Sequence, residues 1–467
     1  RSRDGSAAAF IGAPGVSGRG SLNDGNDVSA GAAFAFNPAT PSSPALVVEG
    51  AASPLVSGGR NVGSDVAFTD FDGDGRQDLL VGSPLLQAPG SSVRSSAIAP
   101  VYAREHPGCI PDGGTPSTGS GGVQVLLGQS DGTWTSAYRL WAPINIAGCD
   151  GGTGCSRSGI GRQLAGGFDF NGDGREDVGA TRNNGFEIFL GRAPDSPQLE
   201  KLTMACDPVV TRPFTSHTTS VPASVGDIDA DGCDEVAYRY ASGALSGVAI
   251  VFGFNADPAK CGGHTQPATL RISGDAEAQL SNMRLGVAVT RAGKFLGDAR
   301  EFLAISAGSY RYEGIVQPAV LLFDMAQLRS KRPAPGTEVV VGAQGDGLTP
   351  IPLVASDHAS SFGAALAGGA DLTGDGYPEL IVGAPLASLS SEAAGAVFVF
   401  AGGPKSQGLA EPRLTIAGPA GERSGFGQDV SVVPPTTGKP AYLVIGAPTS
   451  YRTGTQNGTA FSMPVEL

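Results

Sequence analysis

The chain is patterned as short apolar runs separated by turn residues. LLVG at 79–82, VQVLLG at 123–128, FEIFLG at 186–191, VAIVFG at 248–253, AVLLF at 319–323 and AVFVF at 396–400 are typical. Runs of four to eight residues, rich in β-branched and aromatic side chains and bounded by Gly, Pro, Asp or Ser, predict buried β-strands. The 71 glycines and 34 prolines predict many short strands joined by turns rather than long helices. No apolar stretch is long enough for a membrane-spanning helix, which needs roughly 18 residues or more.

The pattern repeats over about 60 residues, a period that decides architecture. Each unit has an apolar-Gly pair leading into a strand, an acidic loop, a second strand ending in Gly-Ala-Pro or its like, then a third and a fourth strand. The clearest copy runs from Ser360 to Pro385 and continues through GAVFVFAGG and PRLTIAG; the next runs from Ser424 to Pro448 and continues into GTAFSMPVEL. Earlier copies start near Val62, Ile160, Thr218 and Leu285, and AAAFIGAP with GAAFAF and LVVEG forms a partial copy at the N-terminus. This makes seven units, expected at about 1–58, 59–145, 157–207, 216–277, 282–345, 358–421 and 422–467, with an insertion at 86–122. Four-stranded units repeated radially answer the edge-strand problem as a β-propeller does. A linear solenoid has shorter repeats and polar caps, which are not seen here. The expectation is therefore one all-β domain over 1–467, a seven-bladed β-propeller with four-stranded antiparallel blades.

The acidic loops carry the chemistry. DFDGDGRQD places Asp70, Asp72, Asp74 and Asp78 at positions 1, 3, 5 and 9, with Gly75 at the turn and the Arg76 carbonyl at position 7. Like charges this close are costly unless a cation lies between them. Several hard oxygens around a glycine turn suit Ca²⁺, and suit Mg²⁺ less well. The loop runs straight into a strand and lacks the Glu at position 12, so it is not an EF-hand. The phrase returns as Asp169, Asn171, Asp173, Arg175 and Asp177, and as Asp227, Asp229, Asp231, Cys233 and Glu235. A weaker version is Asp371, Thr373, Asp375, Tyr377 and Glu379. The four loops predict about four Ca²⁺ ions; the alternative is a set of Asp-Gly turns with no metal. The unit near Leu285 has Gly293 and Phe295 where the first two ligands should stand, the last unit has PPTTGKPA, and the first begins inside its loop.

With these residues in view, the units resemble FG-GAP repeats, the blades of integrin α-subunit propellers and of many secreted bacterial proteins. The resemblance rests on Phe362-Gly363, Gly383-Ala384-Pro385, Phe426-Gly427, Gly446-Ala447-Pro448, Gly12-Ala13-Pro14 and the four acidic loops, and covers nearly the whole chain. It implies a seven-bladed propeller in which each DxDxDGxxD loop holds Ca²⁺ between two strands of a blade. Compared with the family unit, the first copy lacks its opening strand and the last its closing one. The expectation is that an upstream segment or a second chain completes the first blade; the alternative is a three-stranded blade at each side of the seam.

Charge and cysteines narrow the partner classes. A net charge of −13 argues against nucleic acid. Six cysteines without zinc spacing are compatible with disulfides; Cys149 and Cys155 could pair locally, and the pairing of Cys109, Cys206, Cys233 and Cys261 is not readable. Calcium loops and cysteines together point to a secreted or cell-surface protein. The histidines His106, His217, His264 and His358 stand in unrelated contexts, and no HExxH or GxSxG pattern accompanies them. The loop aspartates share one short turn rather than facing each other across a cleft as glycosidase acids do. Trp134 and Trp141 either stack on sugars or, more commonly, pack between blades. Asn457-Gly458-Thr459 matches a glycosylation acceptor. The function expected is a calcium-binding, protein-binding propeller acting in adhesion or as a surface scaffold, and not an enzyme. The alternatives are a glycan-binding, lectin-like propeller and a propeller-based hydrolase or lyase, and the fold alone does not choose among them.

Overall fold

The computed structural model describes residues 9–13, 31–39, 45–49, 62–84, 121–140, 159–182, 185–192, 203–205, 210–213, 222–242, 245–274, 284–312, 314–343, 346–354, 360–404, 411–435, 440–450 and 458–465. Two compact units divide the chain, one of Arg1–Asn37 and Ser42–Pro222, the other of Pro38–Pro41 and Ala223–Leu467.

In the first unit, β1 (Ala9–Ala13), β2 (Ala32–Phe36) and β3 (Ala45–Glu49) form a three-stranded antiparallel sheet. A meander follows of β4 (Val66–Thr69), β5 (Asp78–Ser83), β6 (Gly122–Gly128) and β7 (Trp134–Leu140). The next sheet starts with β8 (Leu164–Ala165), β9 (Val178–Arg182) and β10 (Gly185–Phe189). Then β11 (Thr203–Ala205) turns back to pair parallel with β7, and β12 (Val210–Pro213) closes the sheet against β10.

In the second unit, β13 (Ala223–Gly226), β14 (Glu235–Ser242), β15 (Leu245–Phe252) and β16 (Ala268–Ser273) form one meander. The next runs through β17 (Leu285–Gly293), β18 (Phe302–Tyr312) and β19 (Ile315–Asp324). A one-turn helix α1 (Met325–Arg329), capped by Asp324 accepting from the Ala326 amide, then leads to β20 (Glu338–Gly342), which pairs parallel with β16. β21 (Ile351–Val354) returns to β19. The sheet β22 (Ala365–Ala370), β23 (Glu379–Ala384), β24 (Ala396–Phe400), β25 (Leu414–Ala417) is the regular four-stranded case. Last come β26 (Asp429–Val433), β27 (Tyr442–Ala447) and β28 (Thr459–Pro464).

These successive meanders are the blade construction of a β-propeller. In the regular four-stranded sheet the second and third strands are covered on both faces: every residue of β23 and β24 is buried. The core lies between consecutive sheets. Leu80, Val125, Leu164, Val178 and Phe189 share one cluster in the first unit, and Ile250, Phe252, Leu270, Leu303 and Phe323 share one in the second.

The two glycine signatures of the repeat meet each other. A Cβ on Gly383 would lie 2.1 Å from the Gly427 carbonyl oxygen, one on Gly82 2.0 Å from that of Gly161, and one on Gly12 2.1 Å from that of Gly63. Beside each contact, Val62, Ile160 and Phe426 form isolated parallel bridges with Gly31, Gly121 and Gly395 at the start of the preceding unit's third strand. The apolar-Gly pair of one blade is thus the backbone seat for the Gly-Ala-Pro strand of the blade before it. Phe362 and Phe426 are buried here, Phe362 edge-on to Phe398 at 5.5 Å and Phe426 edge-on to Phe461 at 5.2 Å.

Seven uniform four-stranded antiparallel blades are not what the described residues form: the sheets have three to five strands, and two of them include a parallel partner. The blade boundaries at 157–207 and 282–345 also fail. β11 and β20 lie inside those spans yet join the preceding sheet, while the fourth strands β12 and β21 lie beyond them. The physical reason is that an outer strand exposes unpaired backbone groups, which a returning segment satisfies as well as a hairpin does. The first and last sheets have three strands each among the described residues. Trp134 packs edge-on against Phe10 at 5.1 Å, beside Val81 and Leu126, as the packing alternative expects. Trp141, Pro14, His106, His217, His358, Asn457, Cys109, Cys149, Cys155, Cys206 and 86–120 of the insertion lie outside the described residues.

Candidate metal loops

All four acidic loops adopt one conformation, and its hydrogen bonds repeat by position. The position-1 carboxylate accepts from the glycine amide at position 6: Gly75 to Asp70 at 2.9 Å, Gly174 to Asp169 at 2.8 Å, Gly232 to Asp227 at 3.0 Å and Gly376 to Asp371 at 2.8 Å. These glycines have φ of 82°, 90°, 91° and 90°, a left-handed conformation that disfavours a side chain. The position-5 carboxylate accepts from the amide at position 7: Arg76 to Asp74 at 2.8 Å, Arg175 to Asp173 at 2.9 Å, Cys233 to Asp231 at 3.0 Å and Tyr377 to Asp375 at 2.9 Å. Position 3 accepts from the amide at position 5 in three loops, Asp74 to Asp72 at 3.2 Å, Asp173 to Asn171 at 3.0 Å and Asp375 to the Thr373 hydroxyl at 3.3 Å.

Position 9 has a different role from the others. Asp78, Asp177, Glu235 and Glu379 are fully buried at the start of the second strand. One oxygen of each accepts from the amide at position 2: Phe71 at 2.8 Å, Phe170 at 2.7 Å, Ile228 at 2.5 Å and Leu372 at 2.6 Å. In three loops the other oxygen accepts from the glycine ending the third strand: Gly128 at 2.8 Å, Gly191 at 2.7 Å and Gly253 at 3.3 Å. This carboxylate ties the loop to two strands. Burial pushes Asp78 and Glu379 up to about 7 and raises Asp177 and Glu235 well above the usual carboxylate range.

In the first loop, oxygens of Asp70, Asp72 and Asp78 lie within 4.8 Å of one another, and Asp70 Oδ1 is buried without a hydrogen-bond partner. Burial, then the Asp74 charge, raises Asp72. Such a cluster of hard oxygens, with a buried lone pair left over, fits a divalent cation. The second loop packs against the first: the Asp70 amide donates to Glu176 Oε2 at 2.6 Å, and the Glu176 amide donates to the Asp70 carbonyl at 3.0 Å. Arg76 and Arg175, at position 7, pair with Asp74 and Asp173 of their own loops at the solvent edge. The second and fourth loops keep the same backbone and oxygen donors, with Asn171 and Thr373 at position 3.

The third loop is built differently. Cys233, at position 7, forms a disulfide with Cys261, which sequence spacing did not reveal. Arg332, 97 residues beyond the loop's last carboxylate in sequence, contacts Asp229 and Asp231. Its Nη2 lies 3.5 Å from Asp231 Oδ2, and its Nη1 donates to His264 Nε2 at 2.6 Å. Burial, then the Arg332 charge, lowers His264. In the degenerate loop after β17, Phe295 is fully buried where a ligand would stand, so an apolar side chain replaces the acidic cluster.

The FG-GAP repeat family model matches residues 62–93 and 362–400, two spans that each include an acidic loop. The chain carries FG-GAP repeats in a β-propeller arrangement. The match is to the repeat and does not single out integrin α subunits. No curated protein matches the chain. Solved structures similar to it include BBS1N in complex with ARL6DN, soaked with lead, at 12% identity and TM-score 0.37, covering 86% of this chain and 92% of that one. Rhamnogalacturonan lyase YesW is 13% identical at TM-score 0.26, covering 95% of this chain and 61% of that one. A structure from a study of two prolyl endopeptidases is 12% identical at TM-score 0.29, covering 94% of this chain and 53% of that one.

Proposed function

We propose that the chain is a calcium-stabilised binding propeller, a non-catalytic scaffold that presents blade surfaces to a protein partner outside the cytoplasm. The observation that carries the calcium part is the first loop, where converging Asp70, Asp72 and Asp78 oxygens include a buried, unpartnered Oδ1. Calcium would be held there by Asp70, Asp72, Asp74, Asp78 and the Arg76 carbonyl. The second loop would use Asp169, Asn171, Asp173, Asp177 and the Arg175 carbonyl, and the fourth Asp371, Thr373, Asp375, Glu379 and the Tyr377 carbonyl. The ion would supply charge neutralisation; the chain itself positions the oxygens through the repeated amide bonds. FG-GAP propellers as a class serve as protein-binding modules, and the repeats here support that reading. The disulfide supports an oxidising compartment. No helix among the described residues is long and apolar enough to cross a membrane.

The test is calcium content by equilibrium dialysis together with thermal unfolding in calcium and in EGTA. Bound calcium that falls by one ion on Asp70→Asn, with a lower melting temperature in EGTA, supports the reading. A chain that binds no calcium and melts identically in both buffers overturns it. The partner is sought by cross-linking in the native milieu with and without EGTA; capture that depends on calcium supports the scaffold role.

A further inference from the structure

We infer that the third acidic loop takes no calcium, because the guanidinium of Arg332 occupies the place of the ion. The inference deepens the calcium reading, on which it rests for the other loops.

Arg332 is delivered to the loop by its surroundings. It follows α1, whose Met325 and Leu328 are buried in the same core cluster as Phe252 and Ile228. The turn after the helix is closed by amide bonds from Ser330 to Ala326 at 3.1 Å, Lys331 to Leu328 at 3.0 Å and Arg332 to Arg329 at 3.1 Å. From this base Arg329 Nε donates to the Ile228 carbonyl at 2.9 Å, the residue at position 2 of the loop. Arg332 then reaches past it, stacks over the Phe252 ring at 5.1 Å, and contacts the carboxylates at positions 3 and 5 together. His264 Nε2 accepts from the guanidinium at 2.6 Å and lies 4.0 Å from Asp231 Oδ2.

The contrast with the other loops decides the point. Arg76 in the first loop also pairs with a position-5 carboxylate, but its side chain is 46% exposed and comes from the loop itself, so it can swing into water and yield to an ion. Arg332 is 12% exposed and the carboxylates it meets are 5% and 8% exposed. A guanidinium seated on an aromatic face and on two buried carboxylates is held more firmly than the exposed Arg76 and supplies the positive charge an ion would bring. Position 7, which holds Arg in the first two loops, is here Cys233, bound to Cys261. The turn carrying Cys261 closes over the loop so tightly that a Cβ on Gly262 would lie 3.1 Å from Asp231 Cβ. The third loop therefore keeps a carboxylate cluster, with oxygens of Asp227, Asp229 and Glu235 within 4.8 Å of one another, but sets an internal cation against it and closes it with a covalent tie.

The test counts calcium per chain by equilibrium dialysis in the whole protein and three variants, each checked for folding by circular dichroism. Asp70→Asn removes one ion if the calcium reading is right. The double variant Asp229→Asn with Asp231→Asn leaves the count unchanged, and Arg332→Met raises it by one, a gain cancelled when Asp229→Asn is added. Loss of one ion in the double variant, or no gain in Arg332→Met, overturns the inference; Arg332→Gln replaces Arg332→Met if the latter does not fold. A wild-type chain with no calcium at any loop sinks the calcium reading alone, and the gain in the Arg332 variant still decides this one.

Discussion

The Phe71 amide donates to Asp78 Oδ2 at 2.8 Å, and the equivalent bond closes each of the other three acidic loops. It joins positions 2 and 9, the one apolar and buried, the other charged in sequence and buried in structure. The last carboxylate of the repeat is thus a strand clamp as much as a ligand. Replacing it should be felt whether or not metal is present. Asp78→Asn presents an amide where two backbone donors converge, leaving one of them unsatisfied at a cost of roughly 1–3 kcal/mol. Urea unfolding in EGTA should show this loss, whereas Asp72→Asn in the same buffer should stay within about 0.5 kcal/mol of wild type.

The raised Asp78 and Glu379 give the calcium-free protein a signed pH dependence. Burial lifts both to about 7, from 3.8 and 4.5. Between those limits the folded chain holds protons that the unfolded chain has released, so stability is greatest at the acid end and falls as pH rises. The melting temperature in EGTA should fall from about pH 5 to about pH 7.5, and saturating calcium should abolish or reverse the fall, since the ion favours the charged carboxylates. A calcium-free protein whose melting temperature rises across that range would contradict the assignment.

Blade-to-blade seating depends on glycine at both signature positions. Gly383→Ala would drive a Cβ to 2.1 Å from the Gly427 carbonyl oxygen, a backbone atom that can move only with its strand. The expected cost is roughly 1–3 kcal/mol in denaturant unfolding. Gly421→Ala tests the opposite case: no atom lies within 4 Å of its Cβ, so the cost should come only from its φ of 83° and be smaller.

The Cys233–Cys261 bridge closes a loop of 28 residues. Replacing both cysteines by serine should lower stability by roughly 2–4 kcal/mol. The calcium count of the other loops should not change, which equilibrium dialysis on the same sample checks.

The sequence by itself determined the strands and the acidic turns. Both are local: LLVG and AVFVF bury because they are apolar on both faces, and DFDGDG turns because its glycines reach positive φ while its carboxylates accept neighbouring amides. The glycine signatures were legible as a repeat, although not as the carbonyl seats they prove to be. Tertiary structure decided everything that depends on a distant partner. Whether β11 and β20 serve their own sheet or the preceding one is a competition between edges, to which local pattern is blind. That Asp78 is buried against Gly128 follows from the third strand, 50 residues on. Asp229 and Asp231 read as ligands like their counterparts until Arg332 arrives at them, because the side chain that satisfies a buried charge is chosen by proximity in space.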